Sequence, residues 1–235
     1  SMLLSKQTRD AIGLSLKESL VIVDEAHNLP EALRSLHSCR LTLPIIQSAL
    51  EQLGNYVAKY SDRLASRNLF YLGQIRKILL AFKKHLEHSN ASSKKPMITP
   101  DELLVELKLD NVNLFKMLRY LEHSRLAQKL LGFMTRVIPE QDGSTVGADP
   151  DTSDGLSKHV SAMSVVQTFL EKLTFSGKEG KIVVDLPSAD NVDSRSRIQH
   201  PAFRYVLLHP AAFFENVLNE SHALALVGGT LRPFV

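Results

Sequence analysis

Apolar residues change their spacing twice along this chain, from strand-like to helical and back again. Residues 3–12 form a short amphipathic stretch that stops at Gly13. Leu20-Val21-Ile22-Val23 is then an uninterrupted run rich in β-branched residues, which predicts a strand buried on both faces of a parallel sheet. Asp24-Glu25-Ala26-His27-Asn28 ends that run abruptly, and Pro30-Glu31-Ala32-Leu33 predicts a helix start. An acidic pair is thereby set at the carboxyl end of a strand.

From residue 43 to 88 the period becomes helical, with Ile46, Leu50, Leu53, Val57, Tyr60 and Leu64, then Tyr71, Ile75, Ile78 and Phe82, at turn-like intervals. Two long helices are predicted there. Residues 88–95 are polar and read as a loop, and Thr99-Pro100-Asp101-Glu102 opens a helix through Lys108. Residues 113–131 predict one further helix with Leu114, Met117, Leu118, Leu121 and Leu130 inward. Residues 140–157, being Asp, Gly, Ser, Thr and Pro with few apolar side chains, read as a mobile surface loop. Packing is expected to resume at 161–173.

The last third returns to strand signals at 181–184 and 203–208, which are able to pair as a long-looped hairpin. Pro210 opens a helix to about Leu218, and Ala223-Leu224-Ala225-Leu226-Val227 is a second apolar strand ending in Gly228-Gly229-Thr230. A chain that begins and ends with apolar strands running into polar motifs, with mostly helical sequence between, predicts an α/β sheet carrying a large insertion. The strands at 20–23 and 223–227 are expected to be neighbours.

Composition narrows the chemistry. With 44% hydrophobic residues in 235, the chain has enough apolar sequence for a core. Neither a long apolar run nor a signal-like start is present, so a soluble intracellular protein with no membrane partner is expected. Ser1-Met2 reads as an artificial or truncated start. The lone cysteine, Cys39, excludes an internal disulfide and a four-thiolate metal site within this sequence, and reads as a structural thiol. His85 and His88 share a helical spacing but lack a third ligand for a metal.

The net charge of +3 implies little until its distribution is considered. Between Tyr56 and Lys95 there are nine Lys or Arg residues against two acids, and Lys59, Arg63 and Arg67 recur every fourth position. On one helix they would share a face able to track a phosphate backbone, with Tyr60, Phe70 or Tyr71 near enough to stack on bases. A solvated helix face with its aromatics in the core explains the same pattern.

The LVIVDEAH run at 20–27 carries the sharper chemistry. In nucleotide-hydrolysing α/β sheets, an acid after a buried strand holds the Mg2+ that bridges ATP phosphates, and a neighbouring carboxylate orients the attacking water. Asp24 takes the metal role and Glu25 that of the base, while His27 is placed to sense nucleotide state. Gly229 and Thr230, after the second apolar strand, are expected beside them at the same sheet edge.

Asp24-Glu25-Ala26-His27-Asn28-Leu29, preceded by Leu3-Leu4, Arg9 and Gly13, strongly resembles motif II of the XPD-like iron–sulfur DNA helicases of superfamily 2. His209-Pro210-Ala211 through Gly228-Gly229-Thr230-Leu231-Arg232-Pro233 resembles their motif III, where Ser-Gly-Thr-Leu is more usual. That glycine, with Asp110-Asn111-Val112-Asn113-Leu114-Phe115-Lys116, Arg119-Tyr120 and Lys129-Leu130-Leu131-Gly132-Phe133, is similar to the ChlR branch, linked to sister-chromatid cohesion.

The resemblance implies a RecA-like motor domain at 1–40 and 179–235, interrupted by a helical Arch insertion at 41–178. It implies an ATP- and Mg2+-dependent 5′–3′ helicase acting on single-stranded and forked DNA, nuclear, with roles in repair and cohesion and with replication or cohesion proteins as partners. A 4Fe-4S cluster is implied for the complete protein. This sequence departs from the family pattern in lacking the phosphate loop, the four cluster cysteines and the second motor domain, so it is expected to be a fragment inactive by itself. Two other readings stand beside it: a non-catalytic helical interaction module from a truncated or spliced helicase, and a helical bundle in which DEAH is accidental.

Overall fold

The computed structural model describes residues 2–89, 97–137, 161–174, 180–187 and 200–229. The loop expected at 140–157, and Thr230, lie outside the described residues.

The chain divides into two compact units: Ser1–Ser38, Ser176–Lys181 and Tyr205–Val235 form the first, and Cys39–Phe175 with Ile182–Arg204 the second. The second therefore takes residues 182–204, which the sequence assigns with the returning strands. The architecture is α/β, with a long helical excursion between two adjacent strands.

In the first unit, β1 (Leu20–Val23) pairs in parallel with β5 (Ala223–Leu226), in the register Leu20↔Ala223 to Val23↔Leu226. This is the expected adjacency of the first and last strands. Helix α1 (Lys6–Ile12) starts at Ser5, whose hydroxyl accepts from the Thr8 amide, and stops at Gly13 in the left-handed region (φ 70°). Helices α2 (Leu29–His37) and α9 (Pro210–Glu220) pack together, and Leu16, Val21 and Val217 form a small core joined by Val23, Phe214 and Leu224.

The expectation that β1 is buried on both faces is corrected. Val21 is 8% exposed, but Leu20 and Ile22 are 63% and 62% exposed. Alternate residues of a strand point to opposite faces, and among the described residues only the face bearing Val21 is covered. Arg9, fully buried, fastens this unit: it donates to the Leu3 carbonyl and, through Nη2 at 2.9 Å, to Glu220 Oε2 at the end of α9.

The second unit is built from α3 (Leu43–Tyr60), α4 (Ser66–His88), α5 (Pro100–Glu106), α6 (Leu114–Ser124), α7 (Leu126–Val137) and α8 (Ala162–Leu173). Helix α8 is central, packing on α3, α5, α6 and α7 through a face that includes Met163, Val166, Phe169 and Leu170. Phe82, Phe169 and Phe203 meet with ring centroids 5.4–5.9 Å apart. The α5 start is a complete capping box: Thr99 Oγ1 accepts from the Glu102 amide, and Glu102 Oε2 accepts from the Thr99 amide.

Strands β2 (Cys39–Thr42), β3 (Gly180–Asp185) and β4 (Ala202–Leu207) form a sheet in the order β2-β4-β3. The neighbouring of β3 and β4 was expected; β2, only four residues long, is too short for its alternation to register. Asp185, nearly buried, accepts from Arg204 Nε and Nη2 at 3.0 and 3.1 Å and has Arg40 Nε 3.8 Å away, so one carboxylate links all three strands.

Two helical expectations change. The single helix expected at 113–131 is two, because Arg125 adopts a left-handed conformation (φ 50°) that ends α6. The run 43–88 does hold two helices, but α3 ends at Tyr60, and Arg63 falls in a short 3-10 turn, Ser61–Arg63, before α4. Lys59, Arg63 and Arg67 consequently lie on three different elements, and the single shared helical face does not form.

Candidate nucleotide site

Strand β1 delivers Asp24 and Glu25 to its carboxyl end, where the chain turns sharply. Glu25 takes the left-handed conformation (φ 49°, ψ 48°), unusual for a residue with a Cβ, and its amide donates to Asp24 Oδ1 at 2.9 Å. The Asn28 amide closes the turn on the Glu25 carbonyl at 2.9 Å. The turn is also tied to the other strand. Val227 donates its amide to the Val23 carbonyl at 2.9 Å and accepts the Ala26 amide on its own carbonyl at 2.9 Å.

The two polar motifs thus meet through backbone bonds as well as by adjacency. Gly229 lies two residues beyond Val227. A side chain added there would meet nothing within 4 Å among the described residues.

Asp24 and Glu25 border a cavity of about 300 Å3, with Leu3, Leu4, Val23, Asn28 and Phe214 among its walls. Both carboxylates are exposed to solvent. His27 Nδ1 stands 3.1 Å from Glu25 Oε2, so the histidine contacts the candidate base. Asp24, Glu25 and His27 are therefore together in one turn. The sequence reading missed the Val227 carbonyl and Asn28 as parts of this site; backbone atoms leave no signature in residue type, whereas Asn28 directly follows the acidic motif.

The donor set suits a hard cation. Carboxylate oxygens of one or two residues plus substrate phosphates are how Mg2+ is held at phosphoryl-transfer sites, and Asp24 and Glu25 offer such oxygens. An iron–sulfur cluster does not fit these residues, since it needs four thiolates and the sequence has one cysteine. That thiol, Cys39, is pushed up to about 11 by burial, an effect opposed by the Lys172 ammonium and reinforced by Glu171. Burial likewise lowers the Lys172 pKa.

In the second unit Lys59, at the end of α3, sits with its ammonium 5.3 Å from the Phe133 ring centroid and 5.9 Å from that of Tyr60. Arg63 and Arg67 are exposed. Neither lines the cavity that Lys59 borders, which instead holds Arg125 and Lys129.

Residues 1–46 match the DEAD_2 family. Over 234 residues, 99% of this chain, the sequence is 33% identical to the ATP-dependent DNA helicase CHL1 of Coccidioides immitis, of which the match covers 25%. From end to end the chain is similar to the ChlR helicases. The human ATP-dependent DNA helicase DDX11 is 29% identical over 263 residues, again 99% of this chain and 26% of the relative. The chain thus spans about a quarter of the length of these ChlR relatives. Among solved structures, S. tokodaii Xpd4 aligns over 98% of this chain and 38% of its own, at 13% identity and a TM-score of 0.47.

Proposed function

We propose that this chain is the part of an ATP-dependent DNA helicase that carries the second and third motifs of its first, RecA-like motor domain, with a helical Arch insertion between them. The observation that carries the proposal is the parallel pairing of β1 with β5 and the Val227 carbonyl accepting from Ala26, which together fasten the Asp24-Glu25 turn to the Gly228-Gly229 end. Parallel strands ending together form the ligand-binding edge of open α/β sheets. The similarity to CHL1 and DDX11 over 99% of the chain supports the same reading.

In this proposal Asp24 would hold Mg2+, and the chemistry the ion would supply is neutralisation of charge on the ATP phosphates. Glu25, in its left-handed turn at the strand end, orients and deprotonates the attacking water. His27 holds the Glu25 carboxylate in place. Gly229 presents its backbone at the same edge, and Thr230 is the residue that follows it in sequence. The ATP-phosphate loop, the cluster cysteines and the second motor domain belong to sequence outside these residues. The complete protein acts in the nucleus on single-stranded and forked DNA, moving 5′ to 3′, and serves repair and sister-chromatid cohesion.

The test is DNA-stimulated ATP hydrolysis by the full-length protein, natural against Glu25→Gln, which keeps shape and removes the base. Hydrolysis should fall by roughly 100-fold or more with ATP binding retained. Equal rates would overturn the assignment of Glu25, and inactivity of both proteins would overturn the helicase reading.

A further inference from the structure

Helix α3 ends against α7, and the two enclose an open cavity of about 470 Å3 in the second unit. Its size falls in the range of small-ligand pockets. Tyr56, Tyr60 and Phe133 line it, their ring centroids 5.0–5.9 Å apart, as do Lys59, Arg125 and Lys129. The two elements bring these groups together by unrelated routes. Tyr56, Lys59 and Tyr60 share the last turn of α3, while the left-handed Arg125 starts the chain into α7, whose next turns carry Lys129 and Phe133.

Two features point to an anion with a flat apolar part. The lining contains no acidic residue, and among the described residues no carboxylate lies within 4.0 Å of any of the three cations. Clustered like charges repel, a cost an anionic ligand removes. Half-buried tyrosines and a nearly buried phenylalanine offer ring surface where bases stack, alongside cations suited to phosphate.

We infer that this cavity binds one nucleotide unit of single-stranded DNA, with the base against Tyr56 and Tyr60 and the flanking phosphates on Lys59, Arg125 and Lys129. It is separate from the Asp24-Glu25 site, and the choice of DNA as the source of the nucleotide rests on the helicase reading. An acidic peptide would satisfy the cations but leave the ring surface without a planar partner. Of the stripe Lys59, Arg63 and Arg67, the site keeps only Lys59.

The experiment measures binding of fluorescein-labelled (dT)15 to the full-length protein by anisotropy across a salt series, with the Lys59→Gln/Lys129→Gln double variant and Tyr60→Leu beside it. Loss of two phosphate contacts should make the salt slope shallower by about 1.4 and weaken binding roughly twenty-fold at 0.1 M salt. Tyr60→Leu should weaken binding about tenfold and leave the salt slope unchanged. Should a variant fail to fold by circular dichroism, photo-crosslinking of the natural protein to 5-iodouracil-substituted (dT)15 gives an independent readout, with adducts expected on Tyr56, Tyr60 or Phe133.

Unchanged affinity and slope in folded variants, or adducts confined to other peptides, would overturn the pocket while leaving the helicase reading intact. No binding of (dT)15 by the natural protein would overturn both. Displacement of (dT)15 by a 15-residue polyglutamate as readily as by unlabelled strand, or by dTMP at equal concentration, would assign the pocket to an acidic peptide or a free nucleotide instead.

Discussion

Single residues in this protein show how far chemistry depends on surroundings that residue type does not specify. Glu25 is a glutamate in a strand-end turn by sequence, yet it is the left-handed backbone and the contact with His27 that turn its carboxylate into a positioned group. Cys39 is the opposite case. Its sequence context says only that it is alone, and burial decides its reactivity by raising its pKa to about 11. The thiolate, which is the nucleophile, is therefore scarce near neutrality. Iodoacetamide should label Cys39 in the folded protein at least tenfold more slowly than in urea at pH 8, as followed by mass spectrometry. The rate should rise as pH approaches 11, because the raised pKa keeps the proton on until then. Equal rates in the two states would show an accessible, ordinary thiol.

At the scale of elements, α1 is tied to α9 by charge, through Arg9 and Lys6 on Glu220. Arg9 is fully buried while Glu220 is one-third exposed, so removing the glutamate strands a buried guanidinium. Glu220→Ala should cost about 2 kcal/mol in urea unfolding, below the full penalty of a buried broken pair because Glu220 is partly solvated. Lys6→Ala, which removes the 3.8 Å exposed partner of the same carboxylate, should cost under about 0.5 kcal/mol. A loss from Glu220→Ala no larger than that from Lys6→Ala would mean that the Leu3 carbonyl alone satisfies Arg9.

Elements also explain which sequence signals were legible. Helix α5 was readable because Thr99, Pro100 and Glu102 each have a local job at a helix start. The break between α6 and α7 was not, because it rests on an arginine in a conformation that glycine normally announces. The same holds for the break after Tyr60, where neither glycine nor proline marks the end of α3.

For the molecule as a whole, strand β1 of the parallel β1-β5 pair has, among the described residues, one covered and one open face. Parallel sheets are ordinarily covered on both faces, and the chain spans about a quarter of its relatives. In the proposed helicase the rest of the motor domain covers Leu20 and Ile22. The pair Leu20→Thr and Ile22→Thr should therefore change the stability of the 235-residue chain by under about 0.5 kcal/mol, as exposed substitutions do. In the full-length protein it should cost several times more, roughly 2–3 kcal/mol, as buried truncations do. Urea titration of both proteins checks this, and equal effects in the two would show that this face stays open.

Local chemistry was sufficient for the parts of this protein whose determinants are close in the chain: the LVIV strand, the DEAH turn, the capped helices, and the recurrence of an apolar strand before Gly228-Gly229. The neighbouring of the first and last strands was legible as well, because two strands with polar ends must share a sheet for either motif to act. Only folding decided that Ala26 bonds to Val227, that β2 joins β4, and that Lys59 leaves its expected stripe to meet Arg125 and Lys129. These depend on backbone atoms, on left-handed turns without glycine, and on contacts between residues far apart in sequence, none of which alters the periodicity or type of the residues that make them.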